Sequence, residues 1–62
     1  MKVRDVLDKL HRDGWIMDRQ KGSHRQFVHP HKHSLRVTIS GHPKQDVPKG
    51  TLNSIYKQAG WK

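Results

Sequence analysis

Two apolar stripes with helical spacing, one near each end of the chain, constrain most strongly how this sequence can fold. The apolar residues recur at i, i+3, i+4 and i+7, as Val3, Val6, Leu7 and Leu10 and again as Leu52, Ile55, Tyr56 and Ala59. This spacing predicts two amphipathic helices, each with one face that another layer must cover. Gly14 and Gly60 follow the two stripes and Pro48 precedes the second, which is typical of helix ends.

Three short strands are predicted between the helices, at residues 15–19, 24–29 and 35–40. The third is the clearest, because Leu35, Val37 and Ile39 alternate with polar residues. An antiparallel three-stranded sheet with both helices on one face would bury both apolar stripes. We therefore predict an α+β fold of the double-stranded RNA-binding-domain-like type, α-β-β-β-α, as a single domain over residues 1–62.

Charge is the strongest signal in the composition. The 13 Lys and Arg residues against 5 acidic residues give a formal net charge of +8 with histidine neutral. A domain with this balance attracts polyanions, so nucleic acid is the predicted partner and an anionic protein is the alternative. The sequence has no cysteine, no signal-peptide pattern and no apolar run long enough for a bilayer, so we predict a cytoplasmic protein that does not enter the membrane.

The second strand carries the histidine that best fits a chemical role. If Phe27 points into the core, alternation sends His24 and Gln26 to the open face of the sheet, with Arg36 and Thr38 from the third strand. Arg19 and Lys21 are expected near the same turn. Histidine is partly neutral near pH 7 and can take the proton of a ribose 2′-hydroxyl that attacks the adjacent phosphate, a reaction open only to RNA. From spacing alone, His24 as a simple phosphate or turn contact is the favoured alternative.

Other chemistries have less support in the sequence. His29, His31 and His33 alternate, but Pro30 lies between them and neither a cysteine nor a carboxylate is near, which argues against a closed zinc site. We predict no metal and no other cofactor. His42 is a candidate second functional histidine, with an ordinary loop residue as the default interpretation.

Three ordered blocks of sequence resemble a known family. They are Lys21-Gly22-Ser23-His24 with Phe27 and His29-Pro30, then Gly41-His42-Pro43 leading into Val47-Pro48-Lys49-Gly50-Thr51-Leu52, and finally Ile55 with Lys57-Gln58-Ala59-Gly60. Together with Asp13-Gly14-Trp15 after the first helix, they make essentially the whole chain similar to the HicA (YcfA-like) toxins of type II toxin–antitoxin systems.

The resemblance implies a specific function. Family members are metal-independent endoribonucleases that cleave mRNA and arrest translation, and their catalytic histidine corresponds to His24. The implied partner is a HicB-family antitoxin that covers the active site, so we expect a monomeric free toxin and a hetero-oligomer with the antitoxin. The candidate RNA contacts are Lys21, Ser23, Arg25, Arg36 and Lys44.

Two positions depart from the family pattern. Arg25 follows the histidine where a further histidine or an aromatic residue is frequent, and Asn53 stands where Arg or Lys often follows Thr-Leu. We expect both side chains to be exposed and to affect substrate preference more than activity. The alternatives to an active toxin are a non-catalytic RNA-binding module and an inactive remnant that only binds an antitoxin.

Overall fold

A computed structural model describes residues 1–61 and has the predicted order of elements. These are α1 (Val3–Arg12), β1 (Ile16–Lys21), β2 (His24–Val28), β3 (Arg36–Ile39) and α2 (Lys49–Ala59). The strands form one antiparallel sheet in the order β1-β2-β3. This arrangement confirms the predicted α+β class with the α-β-β-β-α order of double-stranded RNA-binding domains. Neither helix in residues 1–61 is long and apolar enough to cross a membrane.

Both helices pack on the same face of the sheet through their apolar stripes. One core contains the buried side chains Val3, Val6, Leu10, Trp15, Phe27, Val37, Ile39, Ile55 and Ala59. Leu7, Leu35, Val47, Leu52 and Trp61 pack against it from half-buried positions. Burial of this apolar surface is the main stabilising contribution in a domain of this size. Within residues 1–61 the opposite face of the sheet carries no helix, and we call it the open face.

Two strands begin one residue later than the alternation predicts. The backbone N–H of Trp15 donates to the Leu10 carbonyl at 3.0 Å, so this amide closes the C-terminal end of α1 and does not pair in the sheet. β1 therefore starts at Ile16 and extends to Lys21, beyond the predicted end at residue 19. At β3 the N–H of Leu35 donates to Lys32 in a turn at 3.0 Å, which leaves Leu35 outside the strand. Local hydrogen bonds at the ends of the elements determine where β1 and β3 begin, and these bonds cannot be predicted from the periodicity of the side chains.

The loop between β3 and α2 is fastened to the start of α1. The N–H of Val3 donates to the Gln45 carbonyl at 2.9 Å and the N–H of Arg4 donates to the Pro43 carbonyl at 3.0 Å. These bonds satisfy two amide groups that have no partner within the helix. At the other end of α1, Gly14 adopts φ +92° and allows the chain to reverse.

The Asp13 carboxylate joins three segments that are far apart in sequence. It accepts hydrogen bonds from the indole N–H of Trp15 and of Trp61, each at 2.9 Å, and lies 3.5 Å from Lys32 Nζ. The indole bonds from Trp61 and Trp15, with the Lys32 charge, hold the pKa of Asp13 below its usual value, although desolvation acts in the opposite direction. The end of α1, the β2–β3 connection and the end of α2 are thus linked at one group.

Candidate active site

His24 is the first residue of β2 and directly follows a two-residue turn. Gly22 has φ +60° and is the first of the two turn residues, while Ser23 has no positive φ. This is the pattern of a type II′ hairpin turn, whose twist matches that of the flanking strands. The His24 side chain is exposed, and within residues 1–61 it makes no hydrogen bond. The tight turn therefore presents an imidazole to solvent on a rigid strand end.

The strand register places basic and polar side chains around His24 on the open face. Lys21 lies directly opposite His24, and Arg19 and Thr38 lie on either side of Gln26. Side chains of directly paired residues share a sheet face. The open face consists of Ile16, Arg19, Lys21, His24, Gln26, Val28, Arg36 and Thr38. This grouping agrees with the faces that alternation assigns, whereas the roles of these residues stay predictions.

Arg25 lies on the other side of the sheet. It pairs with Ile39 and shares the face of Phe27, so its side chain points toward the helices and is half-buried. Its Nη1 donates to the Gly41 carbonyl at 3.3 Å. The expectation that Arg25 is exposed was therefore wrong, because the same alternation that exposes His24 turns the next residue inward. The guanidinium instead links β2 to the loop that contains His42.

The remaining candidates lie at two different places. Ser23 is in the turn beside His24 and is exposed. Lys44 belongs to the loop fastened to the start of α1, and its carbonyl accepts a bond from Lys2 Nζ at 3.2 Å. Lys44 is thus at the end of the helix layer and outside the open face. His42, whose N–H donates to the Gln45 side chain at 3.2 Å, is exposed in the same loop.

A polar network on the open face involves a residue that sequence analysis missed. Arg36 Nη1 donates to Gln26 Oε1 at 3.0 Å and lies 3.5 Å from Asp18 Oδ2. Met17 pairs with Phe27 and Arg19 pairs with Gln26, so the register shifts between them and Asp18 is the extra residue of a β-bulge. Strict alternation cannot place a bulged side chain, and no local signal in the sequence marks the bulge.

His29 and His31 make contacts that hold the fold together. The Nε2 of His29 lies 2.7 Å from the Asp13 carbonyl, and its Nδ1 accepts the N–H of His31 at 3.0 Å. Because a carbonyl only accepts, Nε2 carries the proton and donates it. The ring also packs edge-on against Trp15, with centroids 5.2 Å apart. His29 therefore fastens the β2–β3 connection to α1. Within residues 1–61, no three histidine or acidic side chains come together in a metal-binding group.

Comparison with known families identifies one family that matches nearly the whole chain. The sequence model of one protein family, described as the HicA toxin of bacterial toxin–antitoxin systems, matches residues 3–61 of the 62-residue chain. No curated protein matches the chain. The family match spans both helices, the whole sheet and the turn that presents His24. The chain therefore belongs to the HicA toxin family of bacterial toxin–antitoxin systems.

Proposed function

We propose that this toxin is a metal-independent endoribonuclease that cleaves mRNA and arrests translation, with His24 as its catalytic residue. The observation that carries the proposal is the exposed imidazole of His24 at a tight turn, directly opposite Lys21 and on one face with Arg19 and Arg36. A net charge of +8 supplies the attraction for an RNA strand. The open face is accessible because neither helix covers it.

The proposed reaction uses the 2′-hydroxyl of the substrate as nucleophile. Neutral His24 removes the 2′ proton as the oxygen attacks the adjacent phosphorus, and the bond from phosphorus to the 5′-oxygen breaks. The leaving 5′-oxygen takes up a proton from the imidazolium or from water, and the products are a 2′,3′-cyclic phosphate and a 5′-hydroxyl. Lys21 offsets the negative charge that grows on the phosphate oxygens. DNA has no 2′-hydroxyl and would not react.

We propose that the RNA strand runs across the open face from the turn. Lys21 and the Ser23 hydroxyl would contact the reacting phosphate, and Arg36 would contact a phosphate farther along the strand. Arg25 and Lys44 lie toward the helix layer, so their proposed contacts require RNA that continues around the end of the sheet.

We further propose a HicB-family antitoxin as the protein partner, which inhibits by covering the open face. This face has two chemically different ends: Ile16, 57% exposed, lies opposite Val28 at one end, and Lys21 lies opposite His24 at the other. The apolar side chains of a partner would cover the end with Ile16 and Val28, and its acidic side chains would pair with Lys21 at the other end. The free toxin would be a monomer in the cytoplasm, where its mRNA substrate is found, and a hetero-oligomer with the antitoxin.

Induced expression in bacteria tests this function in cells. The unsubstituted chain, His24→Ala and His33→Ala are expressed to equal levels, and growth and the integrity of mRNA are followed. His33 is an exposed histidine in the β2–β3 connection and serves as the matched control. We expect growth arrest with mRNA loss for the unsubstituted chain and for His33→Ala, and normal growth for His24→Ala.

Two results would contradict the proposal. Arrest by a folded His24→Ala variant would exclude His24 as the catalytic residue. Harmless expression of all three folded proteins would favour a binding module or an inactive remnant. Binding of RNA without cleavage would then identify the module, and binding of the antitoxin alone would identify the remnant.

A further inference from the structure

Arg36 on β3 reaches across the sheet and contacts a side chain on each of the other two strands. Its Cα, on β3, lies opposite Val28 of β2, but its Nη1 donates to Gln26 Oε1 on β2 at 3.0 Å and lies 3.5 Å from Asp18 Oδ2 on β1. Gln26 is two residues from His24 on the same strand, which corresponds to about 7 Å. The guanidinium is therefore held over the middle of the open face, at a short distance from the proposed reacting group.

The Asp18 side chain reaches this position because of the bulge in β1. The register passes from Met17 paired with Phe27 to Arg19 paired with Gln26, which leaves Asp18 without a partner residue. A bulge turns the extra side chain out of the regular alternation. Here it brings one carboxylate onto a face whose other charged side chains, Arg19, Lys21 and Arg36, are all basic.

The contact between Asp18 and Arg36 is of a kind that a phosphate can replace. The two side chains are 47% and 57% exposed, and ion pairs in such surroundings are weak. Only Nη1 of Arg36 has a hydrogen-bond partner in residues 1–61, so the remaining N–H groups of the guanidinium are available. Two oxygens of a phosphate can accept two parallel hydrogen bonds from a guanidinium, whereas the Asp18 carboxylate makes a single long contact of 3.5 Å.

We propose that the Asp18 carboxylate positions the Arg36 guanidinium over the open face through a weak ion pair, and that a phosphate of the bound RNA strand replaces Asp18 as the partner of Arg36. The inference rests on the proposed ribonuclease function and assigns Arg36 to a phosphate next to the one attacked at His24. Asp18 lowers the affinity for RNA because its ion pair with Arg36 must be broken before the guanidinium can bind the phosphate. Gln26 keeps the guanidinium in place after the exchange.

The test is a double-mutant cycle on RNA binding. All proteins carry His24→Ala so that the probe, a fluorescent single-stranded RNA of 12 nucleotides, stays intact. The Kd is measured against salt concentration for Asp18→Asn, Arg36→Gln and the two together. Asp8→Asn is the matched control, since Asp8 is 59% exposed, pairs with Arg12 on α1 and lies away from the open face, yet its removal changes net charge equally.

Each variant has a distinct expected result. Asp18→Asn should bind the RNA about two- to five-fold more tightly, because the exposed ion pair with Arg36 no longer has to be broken. Arg36→Gln should bind about five-fold more weakly, with a salt dependence flatter by about one phosphate contact. Asp18→Asn should have almost no effect when Arg36→Gln is already present, because no ion pair is then left to break. Asp8→Asn should change binding less than 1.5-fold at physiological salt, where charges on distant surfaces are screened.

The inference is overturned if Asp18→Asn and Asp8→Asn have equal effects, or if Asp18→Asn still tightens binding in the absence of Arg36. Weaker binding by folded Asp18→Asn would also overturn it, because Asp18 would then only support the strand. Cleavage of the same RNA by the chain with native His24 separates the two proposals. Cleavage without coupling between Asp18 and Arg36 refutes only the role proposed for Asp18. Failure of every protein to bind or cleave RNA refutes that role and the ribonuclease function together.

Discussion

Replacing Asp13 by Ala should destabilise the fold far more than its exposed position suggests. The carboxylate accepts the indole N–H groups of Trp15 and Trp61 at 2.9 Å and lies 3.5 Å from Lys32. Well-shielded hydrogen bonds to a charged group contribute about 1.5–3 kcal/mol each. The Asp13 side chain is 39% exposed, so we take about 1 kcal/mol for each indole bond and little for the Lys32 pair. The expected loss in the free energy of unfolding is about 2 kcal/mol.

A loss of that size is large for a chain of 62 residues. Total stability for this length is about 3–9 kcal/mol. The midpoint of thermal unfolding shifts by about 4–8 °C per kcal/mol in small domains, so Asp13→Ala should lower Tm by about 8–16 °C. Asp13→Asn keeps an oxygen acceptor for the indoles but loses the charge, and it should cost about half as much.

The same contacts predict how stability depends on pH. Hydrogen bonds from Trp61 and Trp15 lower the pKa of Asp13 in the folded state, so the ionised form stabilises the fold. A lowered pKa contributes stability above the unfolded-state pKa of about 3.9, and that contribution disappears as pH falls through the folded-state pKa. The stability difference between the unsubstituted chain and Asp13→Asn should therefore be constant near pH 6 and shrink below about pH 4.

Urea and thermal unfolding followed by tryptophan fluorescence measure these effects, because Trp15 and Trp61 both contact the altered group. Asp8→Ala is the control, since Asp8 is exposed and forms an ion pair with Arg12 on the same helix. It should change stability by at most about 0.5 kcal/mol. If Asp13→Ala were no more destabilising than Asp8→Ala, or if the stability difference between the unsubstituted chain and Asp13→Asn did not shrink as the pH falls below about 4, the role assigned to Asp13 would be refuted.

Three further predictions concern the helix end and the open face. Gly14→Ala should cost about 1–2 kcal/mol in unfolding experiments, because φ is +92° and the new Cβ would lie 3.1 Å from His29 Nε2; an unchanged Tm would contradict this. Ile16→Ser, which removes apolar surface without adding charge to the open face, should leave toxicity intact and weaken neutralisation by the antitoxin about ten-fold in co-expression titrations; undiminished neutralisation would exclude an apolar contact at Ile16. Lys21→Ala should slow RNA cleavage about ten-fold while Lys57→Ala on α2 has little effect, and equal rates for both variants would exclude the Lys21 contact.

Much of the fold could be predicted because the relevant signals are local. The two helical stripes contain most of the residues that bury α1 and α2, and the alternation of Leu35, Val37 and Ile39 locates β3 to within one residue. The face of His24 was also predictable, since one large apolar residue in the same strand, Phe27, fixes the alternation. The short Gly-Ser-His turn and the later glycine and proline motifs are sufficient to indicate the family.

The remaining features depend on side-chain reach and on contacts between distant segments. Trp61 bonds to Asp13 across 48 positions of sequence, which no short-range pattern reports. The bulge at Asp18 breaks the period of two and so hides the partner of Arg36. Arg25 was expected on the exposed side, but alternation with Phe27 points it toward the Gly41 carbonyl, a contact between distant segments.

The most direct test of the proposed function is cleavage of a defined RNA by the purified toxin in the presence of EDTA. The unsubstituted chain and His33→Ala should cut the RNA to fragments with 2′,3′-cyclic phosphate and 5′-hydroxyl ends, whereas His24→Ala should leave it intact. An RNA with a single 2′-deoxyribose at the cleavage position should resist all three proteins. Equal cleavage by folded His24→Ala, or cutting at the 2′-deoxy position, would contradict the assignment of His24 as the group that activates the 2′-hydroxyl.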